Sequence, residues 1–109
     1  MTVGELLNCG DFTALSLPHP ERVINGVYVG DLLSWVMGRA ECDNAWITIM
    51  SNINVIAVAT LADTSCVILA EGVTVDEEIL NTAKEKEVNI LTTELSAYET
   101  AIKLYGMKL

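Results

Sequence analysis

Three apolar runs, Ala45–Met50, Cys66–Ala70 and Val88–Thr92, alternate with stretches of helical patterning. This alternation constrains the chain more than any other feature. A β-α-β-α-β-α order with short connections points to parallel strands joined by right-handed crossovers. Cys66–Ala70 is apolar at every position, as expected of a parallel strand covered on both faces. The expected fold class is therefore α/β, a small mostly parallel sheet with helices on both faces. No repeat or linker divides the chain, so residues 1–109 read as a single domain.

The remaining elements follow from local signals. Thr2 and Glu5 have capping-box spacing and predict a short helix from Val3 to about Asn8. Phe12–Ser16 and Val27–Val29 read as strands. Asp31 is expected to cap a helix through Gly38, with Leu32, Leu33, Val36, Met37 and Ala40 as its apolar stripe. In Ala45–Met50, Trp46, Ile47, Thr48 and Ile49 have high β preference. Ser51-Asn52-Ile53-Asn54 offers N-caps for a helix running to Ala62, which Asp63-Thr64 breaks. Thr74 and Glu77 form a second capping box, for a helix over Val75–Glu87 with Ile79, Leu80 and Ala83 inward. Ser96 and Glu99 form a third, for a last helix to about Tyr105 with Gly106 as C-cap.

The helix ending at Ala62 has almost no polar face, and a helix apolar all round is buried all round. Neighbouring helices or a second subunit could cover it. A second subunit is the expectation, with Val55, Val58, Ala59 and Ala62 as interface residues and a homodimer as the assembly. Trp35 and Trp46 lie in apolar segments and read as core or interface anchors.

Charge and cysteine usage narrow the partners. Fifteen acidic residues against six basic ones give a net charge of −9. Nucleic-acid binding needs Lys and Arg to displace counterions, and anionic lipid repels the same charge, so neither partner is expected. Ile53–Ala62, the longest mostly apolar run, is about half of a membrane span. Met1–Asp11 has no Lys or Arg ahead of an apolar run, so it does not read as a signal peptide. Cys9, Cys42 and Cys66 are odd in number and widely spaced, which suits a reducing cytoplasm, each as a small buried apolar side chain.

Ligands of open α/β sheets bind at the carboxyl ends of the strands. Those ends supply Ser51, Asn52 and Asn54, then Glu71 and Gly72, then Thr92 and Thr93. These polar groups beside helix N-termini form a candidate ligand site, or serve only as caps and turns. A carboxylate at Glu71 opposes a phosphate there. No catalytic residue, metal site or cofactor is expected. The chain has no GxxxxGK[ST] and no GxGxxG, and its single histidine, His19, sits between two prolines. Asp76-Glu77-Glu78 falls in the first turn of a helix, where carboxylates favour the macrodipole.

Several segments together resemble a known family. They are Gly26-Val-Tyr-Val-Gly30-Asp31-Leu-Leu-Ser-Trp35-Val-Met-Gly38, Ala45-Trp-Ile-Thr-Ile-Met-Ser-Asn52, Asn54-Val-Ile-Ala-Val-Ala59, Ile90-Leu-Thr-Thr93 and Ala97-Tyr98-Glu99. Over residues 20–105 the pattern is similar to small DRTGG domains, themselves similar to the N-terminal domain of HPr kinase/phosphorylase. The resemblance implies an α/β accessory module without kinase activity, since the kinase phosphate loop belongs to a separate domain. It also implies a tendency to dimerise and an association with pyrophosphatases and nucleotide-sensing CBS modules. The chain departs from the family's naming elements. Met50-Ser51-Asn52 stands near the Asp-Arg element, and Ala70-Glu71-Gly72 replaces Thr-Gly-Gly. The expected function is a non-catalytic cytoplasmic regulatory or protein-interaction module, homodimeric, docking to a regulated protein. The alternative is a sensor of an adenine nucleotide or other phosphate-bearing metabolite, held by Asn52, Glu71 and Thr93.

Overall fold

In the computed structural model, which describes residues 1–107 and 109, alternate side chains along the central strands build two separate cores. The elements are α1 (Val3–Leu6), a 3-10 turn (Leu7–Cys9), β1 (Thr13–Ser16), β2 (Gly26–Val29), α2 (Leu33–Arg39) and β3 (Asn44–Thr48). They continue with α3 (Asn54–Ala62), β4 (Cys66–Leu69), α4 (Glu77–Glu85), β5 (Ile90–Thr92) and α5 (Ala97–Gly106). The strands form one sheet in the order β1-β5-β4-β3-β2. β2, β3, β4 and β5 are parallel, and β1 joins β5 antiparallel. The expected α/β architecture is therefore the one found.

Strand side chains point alternately to opposite faces. Trp46, Val67, Leu69 and Ile90 face α2, α3 and α4, which contribute Val36, Val55, Ile56, Val58, Ala59, Ile79 and Ala83. Ala45, Ile47, Cys66, Ile68 and Leu91 face the other way, where Val3 and Leu6 of α1 and Leu104 of α5 meet them. Both faces are covered, which is why β4 is apolar without alternation.

Two of the three capping boxes form, at Thr2/Glu5 and Ser96/Glu99, each with its reciprocal pair of hydrogen bonds. The box at Thr74/Glu77 does not. Val73 and Val75 pack against the core in non-helical backbone, and the helix begins only at Glu77, with Asp76 as a cap that makes no side-chain bond. Ser96→Ala is therefore expected to lower stability by about 1 kcal/mol, and Thr74→Ala to leave it unchanged within error. Paired urea denaturation curves read the difference.

Other local expectations also give way to tertiary contacts. Asp31 does not cap α2. Its Oδ1 accepts from Thr48 Oγ1 at 2.8 Å and from the Ile49 N–H at 3.0 Å, fastening the end of β3. Of the stripe expected on α2 only Val36 is buried, while Leu32 and Met37 are exposed. Gly106 is the last helical residue rather than the C-cap, which is Met107.

The apolar helix α3 is covered on its inner side by the chain itself. Val55, Val58 and Ala59 are buried against the sheet and Ala62 is half-buried. The first three of the expected interface residues are thus core, and the side chains that α3 shows to solvent include Ala57 and Leu61. Trp46 is fully buried, whereas Trp35 is half exposed with the Arg39 guanidinium 3.7 Å from its ring centroid.

The cysteines differ among themselves, contrary to the expectation that each is buried. Cys66 is buried, and burial pushes its thiol up to about 12. Cys9 and Cys42 are exposed. The Cys42 thiol donates to Asp63 Oδ2 at 3.2 Å, which raises its pKa above the ordinary thiol value. A thiol-reactive disulfide reagent at pH 8 is expected to count two thiols in the folded chain and all three only after unfolding. A third reactive thiol under native conditions would contradict this packing.

Candidate functional site

The connections after β4 and β5 leave the sheet on opposite faces, to α4 and α5 respectively. Such a divergence opens a crevice at the carboxyl ends of the two strands. The backbone closes much of it. The Glu71 N–H donates to the Leu95 carbonyl at 2.8 Å and the Gly72 N–H to the Thr93 carbonyl at 2.9 Å. Thr93 is buried, and its Oγ1 accepts from the Leu95 N–H. Gly72 has φ +65°, and a Cβ there would collide with the Glu94 carboxylate. The positive φ favours glycine here, whereas the Glu94 carboxylate is the tip of a flexible side chain that can move aside. The close approach made possible by this glycine is taken up by Glu94.

Two openings flank that crevice. A cleft of about 510 Å³ lies between the β3–α3 connection, with Ile49, Met50, Ser51, Asn52 and Ile53, and the start of α4, with Asp76, Glu78 and Ile79. A second, of about 280 Å³, is lined by Gly10, Asp11, Thr13, Thr92, Thr93, Glu94 and Leu95. The structure therefore does not gather the seven sequence-predicted site residues into one pocket. Ser51 and Asn52 line the first cleft, and Thr92 and Thr93 the second. Asn54, Glu71 and Gly72 line neither of these openings. Asn52 Oδ1 already accepts from the Asn54 N–H at 2.9 Å, so it serves a local turn.

Sequence reasoning missed Glu94, Asp76 and Glu78 as lining residues. The acidic run at α4 was visible, but the cleft it faces depends on the crossover. Together these side chains make the carboxyl end of the sheet acidic. Each carboxylate repels a phosphate group, and Lys103 is paired with Asp11, which lines the second cleft.

His19 lies toward the opposite end of the sheet. Its ring nitrogens face Glu21 at 3.1 Å and Glu87 at 3.5 Å, and its backbone is held by Asn89 just ahead of β5. Among the described residues no group of three or more His, Cys, Asp or Glu side chains is placed to hold a metal ion. Among the same residues no helix is long and apolar enough to cross a membrane.

The family model of the DRTGG domain matches residues 20–107. The chain belongs to the DRTGG family. The match spans α2 to α5 and the four parallel strands, and leaves out α1 and β1. No curated protein matches this DRTGG chain in sequence. Among solved structures it is similar to the CBS and DRTGG domains of the regulatory region of Clostridium perfringens pyrophosphatase, complexed with the activator diadenosine tetraphosphate. The TM-score is 0.77 at 20% identity, over 99% of this chain and 47% of that one. The likeness establishes the fold, α1 and β1 included. The chain spans about half the length of that regulatory region.

Proposed function

We propose that this DRTGG domain is a non-catalytic regulatory module of the cytoplasm that works as a homodimer and by docking to a regulated protein. One observation carries the reading: apolar side chains are exposed in a regular stripe. On α5, Tyr98, Ile102 and Tyr105 follow i, i+4, i+7 spacing, and Tyr105 is 89% exposed. Concentrated exposed apolar surface marks protein contact sites. The placement of His19 away from the strand-end hydroxyls supports a non-catalytic role, and the two exposed thiols suit a reducing compartment. Sedimentation equilibrium of the chain should return about 24 kDa, twice 11.8 kDa. A monomer that persists at high micromolar concentration would dismiss the homodimer.

A second reading, a nucleotide sensor, is favoured by the activator bound to the pyrophosphatase region. Asn52, Glu71 and Thr93 would be its contacts, and the acidic strand ends count against it. Ligand binding raises stability by mass action, about 2.7 kcal/mol at a hundred times Kd. Thermal melts with ATP and with diadenosine tetraphosphate decide the matter. No shift at millimolar ligand would retire the sensor.

A further inference from the structure

At the end of the sheet opposite the strand-end clefts, α3 and α4 both finish beside the entrances to β4 and β5. Between them lies a cavity of about 90 Å³, lined by Arg22, Asp63, Thr64, Lys86, Glu87 and Asn89 among others. It is smaller and more enclosed than either cleft. A water molecule takes about 30 Å³ of liquid volume, so the cavity has room for a ligand of a few non-hydrogen atoms.

Most polar groups in its wall are already engaged. Arg22 donates to Asp43 Oδ1, Asp63 Oδ1 and the Asp63 carbonyl. Asp63 Oδ2 accepts from the Cys42 thiol. Asn89 is tied to His19 and Ser65. Thr64 and Lys86 are different. Thr64 is 7% exposed, and its Oγ1 is buried without a hydrogen-bond partner, alone in this among the described residues. Lys86 forms no ion pair with any described residue. Folded chains leave few buried polar groups unpaired, because each one costs its full desolvation. Thr64 belongs to the wall of the cavity, so an occupant is the partner available to its hydroxyl.

Charge fixes the class of occupant. Arg22 and Lys86 are positive, and Asp63 and Glu87 are negative. A ligand of either net charge therefore meets repulsion as well as attraction. The α3 and α4 ends at the cavity are C-terminal and electronegative. A ligand carrying both charges uses both signs. We propose that this cavity binds a small zwitterion, an α-amino acid with a side chain no larger than a methyl group. Its carboxylate meets the Lys86 ammonium and the Thr64 hydroxyl, and its ammonium meets Glu87 and the helix ends. The site is separate from the strand-end clefts and does not depend on the docking reading.

The test is an NMR titration of the ¹⁵N-labelled full chain with glycine, alanine, leucine, acetate and methylammonium. Glycine and alanine should shift the amides of Thr64, Ser65, Glu87 and Val88 saturably. Acetate and methylammonium should need at least about tenfold higher concentration, since each makes only half of the contacts. Leucine should not bind. Thr64→Val keeps the shape, removes the hydroxyl and should weaken glycine about tenfold. Lys86→Met removes an exposed charge and should weaken it about threefold. Lys84→Met removes the same charge from α4 outside the cavity wall and should leave affinity unchanged. Circular dichroism should be alike in all variants. If Thr64→Val does not fold, the contrast between Lys86→Met and Lys84→Met carries the test. No saturable shift with glycine or alanine means that the cavity holds water only and overturns the proposal. Acetate binding as tightly as glycine overturns it too, in favour of a plain anion site. Equal losses in Lys86→Met and Lys84→Met place the ligand elsewhere and overturn the assignment.

Discussion

Trp46→Ala is expected to remove about 3–5 kcal/mol of folding stability, the range for truncating a fully buried aromatic side chain. Trp46 is 0% exposed and sits on the central strand β3, packed with residues of α2, α3 and α4. It also carries a polar duty. Its Nε1–H donates to the Gly30 carbonyl at 2.9 Å, holding the end of β2 in place. Alanine loses the packing, leaves a cavity and orphans that carbonyl together. Small domains have about 5–15 kcal/mol in total, so the variant is expected to be close to unfolded at 37 °C. Trp46→Phe separates the terms: much of the volume remains, the hydrogen bond does not, and the loss should be intermediate. Trp35→Ala, in dilute solution, should change stability by no more than about 1 kcal/mol, since Trp35 is half exposed and its Arg39 contact is a surface cation–π pair. Urea denaturation at constant m-value reads all three. A loss below about 1 kcal/mol for Trp46→Ala would contradict the central placement of this ring.

The fold was legible where the signal was long and redundant. β3, β4 and β5 announced themselves through apolar runs, and the caps at Thr2 and Ser96 through reciprocal side chains. Signals that depend on one residue were less dependable. Asp31 looks like a helix cap in sequence, but the Thr48 hydroxyl and the Ile49 N–H, brought alongside by the β2–β3 pairing, take its carboxylate. Thr74 looks like one too, yet two valines held by the core delay the helix. A helix without a polar face was correctly seen as unusual. Which of its sides faces outward depends on how α2 and α4 pack beside it, which no single segment encodes.

The candidate site was legible in position and not in content. The strand ends were identifiable from the element order alone. Their chemistry depends on which loops diverge, and the divergence of α4 and α5 to opposite faces places Glu94 against Gly72. Glutamate two residues past a strand carries no sequence mark that distinguishes a crevice-filling carboxylate from a solvated one. The exposed stripe Tyr98, Ile102 and Tyr105 was harder still. In sequence an apolar i, i+4, i+7 pattern reads as the buried face of a helix, whereas α5 buries Thr100 and Leu104 instead.

Asn89→Leu is expected to lower stability by roughly 3 kcal/mol, although asparagine ahead of a strand attracts no notice in the sequence. The side chain is buried and makes three hydrogen bonds. Oδ1 accepts from the His19 N–H at 3.0 Å, and Nδ2 donates to the His19 carbonyl at 2.7 Å and the Ser65 carbonyl at 2.9 Å. It thus ties the Pro18-His19-Pro20 segment to the entrance of β4. Leucine leaves the His19 N–H and the Ser65 carbonyl without these partners, each costing about 1–3 kcal/mol unless water reaches it, while the His19 carbonyl keeps the Arg22 N–H at 3.3 Å. His19 is half-buried and regains part of its loss from water. Asn89→Asp distinguishes the polar account from simple packing. The carboxylate still accepts from the His19 N–H but faces two carbonyl oxygens. Burial and those carbonyls raise its folded pKa above the unfolded value. A raised folded pKa adds stability at low pH that is lost as pH rises through it. Relative to the parent chain, Asn89→Asp should therefore be more stable at pH 4.5 than at pH 7.5. Equal deficits at the two pH values would show that the side chain acts by shape alone.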